Sequence, residues 1–153
     1  MYSKNLLLSK MLLSKEIAVN LNLCACKLKQ YSAAALRENN VALTPEQFLL
    51  IDLLWNQGPM TQQAMADMMQ KDKNSVTKLV DALEAKGLLV RQKNENDRRS
   101  NLLVLTRKAE DMKGDAKEKG ISVLDRMLEG ISEEELKAFL VTLNKLNANM
   151  SEH

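Results

Sequence analysis

The chain has 153 residues, a net charge of +2, 45% apolar and only 3% aromatic residues, which suits one domain, or one domain with an oligomerisation element, cored by Leu, Met, Val and Ala. Two prolines and five glycines leave room for long helices, and two cysteines are too few for a disulfide framework. The apolar residues near the start, NLLLSKMLLSKEIAV, are interrupted by lysines and fall short of the roughly 20 that a membrane-spanning helix needs; with no signal-peptide cleavage pattern after them, a cytoplasmic protein without membrane contact is expected.

Residues 5–38 predict one long helix. Leu13, Ile17, Leu21, Cys24, Leu28 and Tyr31 recur at steps of three and four. Leu6, Leu8, Leu12, Val19 and Leu23 fall outside that stripe. A helix apolar on more than one side is usually covered by more than one neighbour, which points to a second subunit. TPEQ opens the next helix: Thr44 caps it, Pro45 suits its first position and Gln47 completes a capping box. Phe48, Ile51, Leu54 and Trp55 form its apolar face, and Gly58 and Pro59 end it.

Thr61 caps a short helix over about residues 62–69, with Ala64, Met65, Met68 and Met69 inward. QKDKN turns the chain, and Asp72 or Asn74 starts a helix that runs to Lys86, stopped by Gly87. Two short helices with a tight turn between them have the layout of a helix-turn-helix. LLVRQK and NLLVLT then read as short strands separated by NENDRRSN, a hairpin with an extended tip and the expected extent of the sheet. From Thr106 to about Glu129 the period is helical again, through Ala109, Met112, Ala116, Ile121, Leu124 and Leu128. SEEE from Ser132 is a further capping box before a last helix with Leu136, Phe139, Leu140, Leu143 and Leu146 on its apolar side.

Charge is unevenly spread. Residues 61–108 carry 10 basic and 6 acidic side chains, net +4, whereas residues 109–153 carry 6 and 10, net −4. A local basic excess is what a nucleic-acid face needs. On the helix from Asp72, Val76, Leu79, Val80 and Leu83 face the core, and Lys78 lies nearly opposite, flanked by Asn74, Ser75 and Thr77. The N-terminal end of such a helix offers unpaired N–H groups to phosphate, and Asn, Ser, Thr and Lys reach base edges. Taken alone, this reads more simply as the solvated face of an ordinary amphipathic helix, and Asp81, an acid on that surface, favours that plainer description. The hairpin tip carries Asp97, Arg98 and Arg99. An arginine there suits the narrow, negative minor groove of A·T runs. Asp97, by pairing with an arginine, would order the loop beforehand; taken alone, the tip reads more simply as a solvated turn with a surface ion pair.

The combination is more specific than its parts. LTPEQFLLIDLLW and MTQQAMADMMQKDKNSVTKLVDALEAKGLLVRQKNENDRRSNLLVLT resemble the MarR family of winged-helix regulators over about residues 43–107. The most specific part is the Asp-x-Arg-Ser tip of Asp97, Arg98, Arg99 and Ser100, followed by LVLT. The resemblance implies a mainly α fold with a small β-wing, in which a winged helix-turn-helix over residues 39–106 is flanked by dimerisation helices over 1–38 and 107–153. It implies a homodimer on a pseudo-palindromic, double-stranded DNA operator, a transcriptional repressor released by a small-molecule effector. By the same resemblance Asn74, Ser75, Thr77 and Lys78 approach bases and phosphates, Arg99 enters the minor groove with Arg98 as a second candidate, Asp97 orders the wing, and Thr61, Gln62 and Gln63 touch phosphate. Lys78 stands where the family often has arginine, so bidentate guanine readout is not implied there.

Some members of the family sense oxidants through cysteine. Cys24 lies in the apolar stripe of the first helix and is expected in the core, where thiols are usually inert, with redox sensing as the other reading; Cys26 faces another side. His153 is the only histidine and is terminal, so neither a metal site nor another cofactor is expected. No nucleophile-and-base set and no glycine-rich phosphate loop is present, which speaks against an enzyme. The remaining alternative is a winged-helix protein-interaction module without specific DNA binding.

Overall fold

A computed structural model describes residues 2–151, with backbone alone for residues 2–11 and Ile121; His153 and the side chains of Leu6, Leu8 and Ile121 lie outside it. The helices are α1 (Tyr2–Glu38), α2 (Pro45–Gln57), α3 (Gln62–Met69), α4 (Lys73–Ala85), α5 (Arg107–Asp111), α6 (Lys113–Met127) and α7 (Glu133–Ser151). The strands are β1 (Met60–Thr61), β2 (Leu89–Lys93) and β3 (Asn101–Leu105). The chain divides into two compact units, residues 1–116 and 117–153.

In the first unit the local signals act as spaced. Thr44 Oγ1 accepts from Gln47 N and Gln47 Oε1 accepts from Thr44 N, closing the box at the start of α2. Asp72, not Asn74, caps α4. The far end of α4 is a Schellman stop: Gly87 takes φ +70°, Gly87 N donates to Glu84 O and Leu88 N to Leu83 O. This turn feeds the chain directly into β2. The core gathers one stripe from each element: Leu50, Ile51 and Leu54 from α2, Met65 from α3, Val76, Val80 and Leu83 from α4, Leu89 and Leu103 from the hairpin. Phe48 packs edge-on to Trp55, with ring centroids 5.8 Å apart.

Several expectations are corrected. The sheet has three strands, in the order β1-β3-β2, because Met60 and Thr61 pair with Leu103 and Leu102 of β3; two residues are too short to show a period. In α3, Met65 and Ala66 are buried while Met68 is exposed and Ala64 only half-buried. An eight-residue helix of Ala and Met is apolar on several sides, and its neighbours decide which side is covered. The helix expected over 106–129 is divided at Met112. There Ala109 O accepts both the Trp55 indole N–H, at 3.1 Å, and Met112 N, three residues on, so the turn tightens. Cys24 is exposed, like Cys26, within a stretch of α1 whose side chains 12–31 are all exposed.

The second unit holds most of α6 and all of α7. Gly130, at φ +80°, lies between them, and Ser132 Oγ accepts from Glu135 N at the start of α7. No residue of α7 is buried: Leu136, Leu143 and Leu146 are half-covered, and Phe139 and Leu140 are open. Val123 of α6 is buried, although it lies outside the expected stripe.

Candidate nucleic-acid interface

The surface built by α3, α4 and the wing is defined by which polar groups are already used. Asp72 Oδ1 accepts from Ser75 N at 2.7 Å and its Oδ2 from Ser75 Oγ at 3.0 Å. The Ser75 N–H holds the Asp72 carboxyl below its usual range, with the Ser75 hydroxyl adding to the effect. Thr77 Oγ1 donates to Lys73 O at 2.9 Å and accepts from Gln62 Nε2. Gln62 thus ties α3 to α4, and Gln63 Nε2 donates to Asp67 Oδ1 on its own helix. Thr61 Oγ1 accepts from Ala64 N and caps α3. Ser75, Thr77, Gln62, Gln63 and Thr61 therefore all have local partners. Asn74 and Lys78 are exposed, and no side-chain hydrogen bond engages either among the described residues.

The wing tip is ordered by two successive turns. Asp97 N donates to Asn94 O at 3.2 Å and Ser100 N to Asp97 O at 3.2 Å. Asn94 Oδ1 accepts from Asn96 N, and Asp97 Oδ1 from Arg99 N at 3.0 Å. Each side chain imitates a backbone turn. The acid thus bonds the arginine's main chain; among the described residues no guanidinium pairs with Asp97, contrary to the ion pair expected from the sequence. The consequence for the arginines is favourable. Arg98 and Arg99 remain exposed, their guanidinium groups unpaired among the described residues, at the end of a loop whose backbone is already set.

Charge sorts the same way. Among the ten basic residues of 61–108, four have internal partners. Lys71 pairs with Glu46 at 3.3 Å, and Lys86 Nζ donates to Ala42 O and Gln47 Oε1. Arg91 pairs with Asp81 and Glu84, and Lys108 Nζ donates to Lys86 O. The other six, Lys73, Lys78, Lys93, Arg98, Arg99 and Arg107, are exposed and unpaired among the described residues. The sequence does not single out Lys73, Lys93 and Arg107, which stand at the end residues of α4, β2 and α5 and belong to no motif. Cys24 and Cys26 lie on α1, outside this surface. Among the described residues no group of three His, Cys, Asp or Glu side chains could hold a metal ion, and no helix is long and apolar enough to cross a membrane.

The MarR family model matches residues 43–100, the span from α2 through the helix-turn-helix to β2 and the wing tip, ending just before β3. The HTH-type transcriptional regulator MhqR of Bacillus subtilis (strain 168) is 30% identical over 107 residues, covering 70% of this chain and 74% of that protein. The chain belongs to the MarR family. Its relatives are transcriptional regulators, not enzymes, and DNA binding through a winged helix is the family's activity. The organohalide-sensing regulator RdhR-CbdbA1625, solved with 2,4-dichlorophenol bound, is 25% identical with a TM-score of 0.78 over 90% of this chain and 80% of that one. Reduced AbfR bound to DNA shares the fold at 16% identity, with a TM-score of 0.77 over 95% of this chain and 98% of that one.

Proposed function

We propose that this MarR-family protein is a sequence-specific repressor that binds a pseudo-palindromic operator as a homodimer in the cytoplasm. α4 enters the major groove with its N-terminal end leading, and the wing lies over the adjacent minor groove. The observation that carries this reading is the sorting of polar groups. Lys71, Arg91, Lys86 and Lys108 are engaged by carboxylates or carbonyls, whereas Asn74 and Lys78 on α4 and Arg98 and Arg99 on the wing are exposed and, among the described residues, unpaired. Asn74 supplies the donor and acceptor that adenine offers in the major groove, and Lys78 the charge for phosphate or guanine. Arg99, held at its backbone by Asp97, fits a narrow A·T minor groove. Ser75, Thr77, Thr61, Gln62 and Gln63 fix the helices first, and any phosphate contact they make uses the capacity that remains.

In this reading residues 39–106 bind DNA, and residues 1–38 and 107–153 pair two subunits. Support for the pairing is the open apolar surface of α1 and α7, Leu12, Leu23, Phe139 and Leu140 among it. Release by a small apolar effector is supported by the dichlorophenol held by the 25% identical regulator.

The deciding experiment is selection from randomised duplex DNA by the purified chain at two salt concentrations, with sequencing of the bound pool. An enriched pseudo-palindrome with A·T pairs under each wing is expected, its half-sites about one helical turn apart. Binding that only follows salt, with no enriched sequence, would favour a protein-interaction module instead.

A further inference from the structure

Arg91 lies in β2, between the recognition helix and the wing tip. Its guanidinium reaches back to α4, where one terminal nitrogen (Nη2) meets Asp81 Oδ1 at 2.7 Å and the other (Nη1) meets Glu84 Oε2 at 2.9 Å. Asp81 and Glu84 are three residues apart and share one face of the helix. The Arg91 side chain is 24% exposed, against 61% for Asp81 and 34% for Glu84, so the cation is the more enclosed member. Burial alone would lower the Arg91 pKa; the two carboxylates outweigh it, and the net shift is upward.

We propose that Arg91 is a positioning residue for DNA binding, a brace that fixes the angle between the wing and α4 by gripping Asp81 and Glu84 without touching DNA. This rests on the DNA-binding reading above. The backbone link between α4 and β2 is a short Schellman turn at Gly87, φ +70°, and the buried Leu88 and Leu89 anchor only the base of the hairpin. Beyond that base, a planar fork held by two separate carboxylates resists bending of the hairpin against α4 in a way a single contact does not. The brace also explains two acids on the helix that faces a polyanion. Their charge is answered within the protein, and the arginine that answers it is withdrawn from phosphate. Reach into two grooves at once requires a set angle, because the cost of ordering a loose wing would fall on the binding step.

The test is a pair of opposite signs. Asp81→Asn combined with Glu84→Gln removes two negative charges from the helix. Electrostatics alone then predicts tighter DNA binding and frees Arg91 for phosphate. The brace predicts weaker binding, by about three- to tenfold, the scale of two partly exposed ion pairs. Binding would be measured on the duplex enriched by the parent chain, across a salt series, with thermal unfolding as the check on folding. Arg91→Ala should weaken binding similarly while leaving the slope of affinity against salt unchanged, since no phosphate contact is lost. Arg91→Lys, which keeps the charge but loses the fork, should fall between. In the DNA-free protein, Arg91→Ala should speed amide exchange over residues 94–100.

A double variant that binds as tightly as the parent or tighter, a salt slope reduced by about one in Arg91→Ala, or wing exchange that does not change would each overturn the brace. A parent chain that enriches no duplex would overturn the DNA-binding reading instead, and the exchange experiment, which needs no DNA, would still decide the brace.

Discussion

The winged body and the flanking helices draw on the same aliphatic residues and use them differently. Leu50, Ile51, Val76, Val80 and Leu103 are completely buried, whereas Leu12, Leu23 and Leu140 expose 67%, 63% and 59% of their surface. In the winged body, each apolar stripe meets a stripe from another segment. Along α1 the side chains from 12 to 31 are all exposed, and along α7 none is buried, Leu136, Leu143 and Leu146 being only half-covered. The winged body closes its own core; the flanking helices leave apolar residues open, which in our reading a second copy covers.

The sharpest way to break that contrast is to cut both regions. Leu50→Ala should cost about 2–5 kcal/mol of stability, transfer and cavity terms together, measured by urea unfolding. Leu23→Glu and Leu140→Glu should keep the helical signal but move the particle from dimer to monomer in sedimentation. Losing the burial of one Leu per subunit, at about 1.5–3 kcal/mol each and twice that per dimer, corresponds to a dissociation constant raised on the order of a hundredfold or more. A parent chain that sediments as a monomer would end the contrast as drawn.

Within the winged body the contrast repeats between engaged and free cations. Arg99→Ala should weaken operator binding by about 1–3 kcal/mol. Asp97→Ala should cost less, about 0.5–1.5 kcal/mol for one lost bond to Arg99 N, and act by loosening the tip. Lys78→Ala should reduce the salt slope by about one. Lys86→Ala should leave that slope unchanged, because its ammonium is occupied by Ala42 O and Gln47 Oε1. Equal slope changes in the two lysine variants would show that internal bonding does not select which charges meet DNA.

Much of this was legible in sequence because it is local. The Thr44–Gln47 box, the Val76–Val80–Leu83 stripe, the Gly87 stop and the polar hairpin tip are each set within a few residues. What escaped depends on distance. The two-residue β1 exists only because β3 lies beside it. Asp81 read as an obstacle to DNA until Arg91, ten residues later and around a turn, came to meet it. Cys24 followed a true apolar stripe, but a stripe does not say whether its cover belongs to the same chain. Asp97 was identified as the organiser of the wing, yet its partner is an N–H, which no residue-type pattern displays.

The smallest effect concerns the joint between the two regions. Glu46, in the first turn of α2, pairs with Lys71 before α4 at 3.3 Å and with Lys29 of α1 at 3.4 Å. The hydrogen bond from Lys71 is the chief reason its carboxyl titrates below 4.5. A carboxyl whose folded pKa is depressed stabilises the fold while ionised. Its contribution is therefore fully present above pH 4.5 and is lost as pH falls through the lower folded-state value. The side chain of Glu46 is 38% exposed, so solvent screens the pairs and Glu46→Gln should cost no more than about 1 kcal/mol at neutral pH. The gap between parent and variant should stay constant above pH 4.5 and close on acidification. Lys71, less exposed than Lys29, should account for most of it: Lys71→Ala should reproduce the gap and Lys29→Ala should barely move it. A gap that widened on acidification, or that followed Lys29 instead, would show that the carboxylate serves α1 rather than the turn before α4.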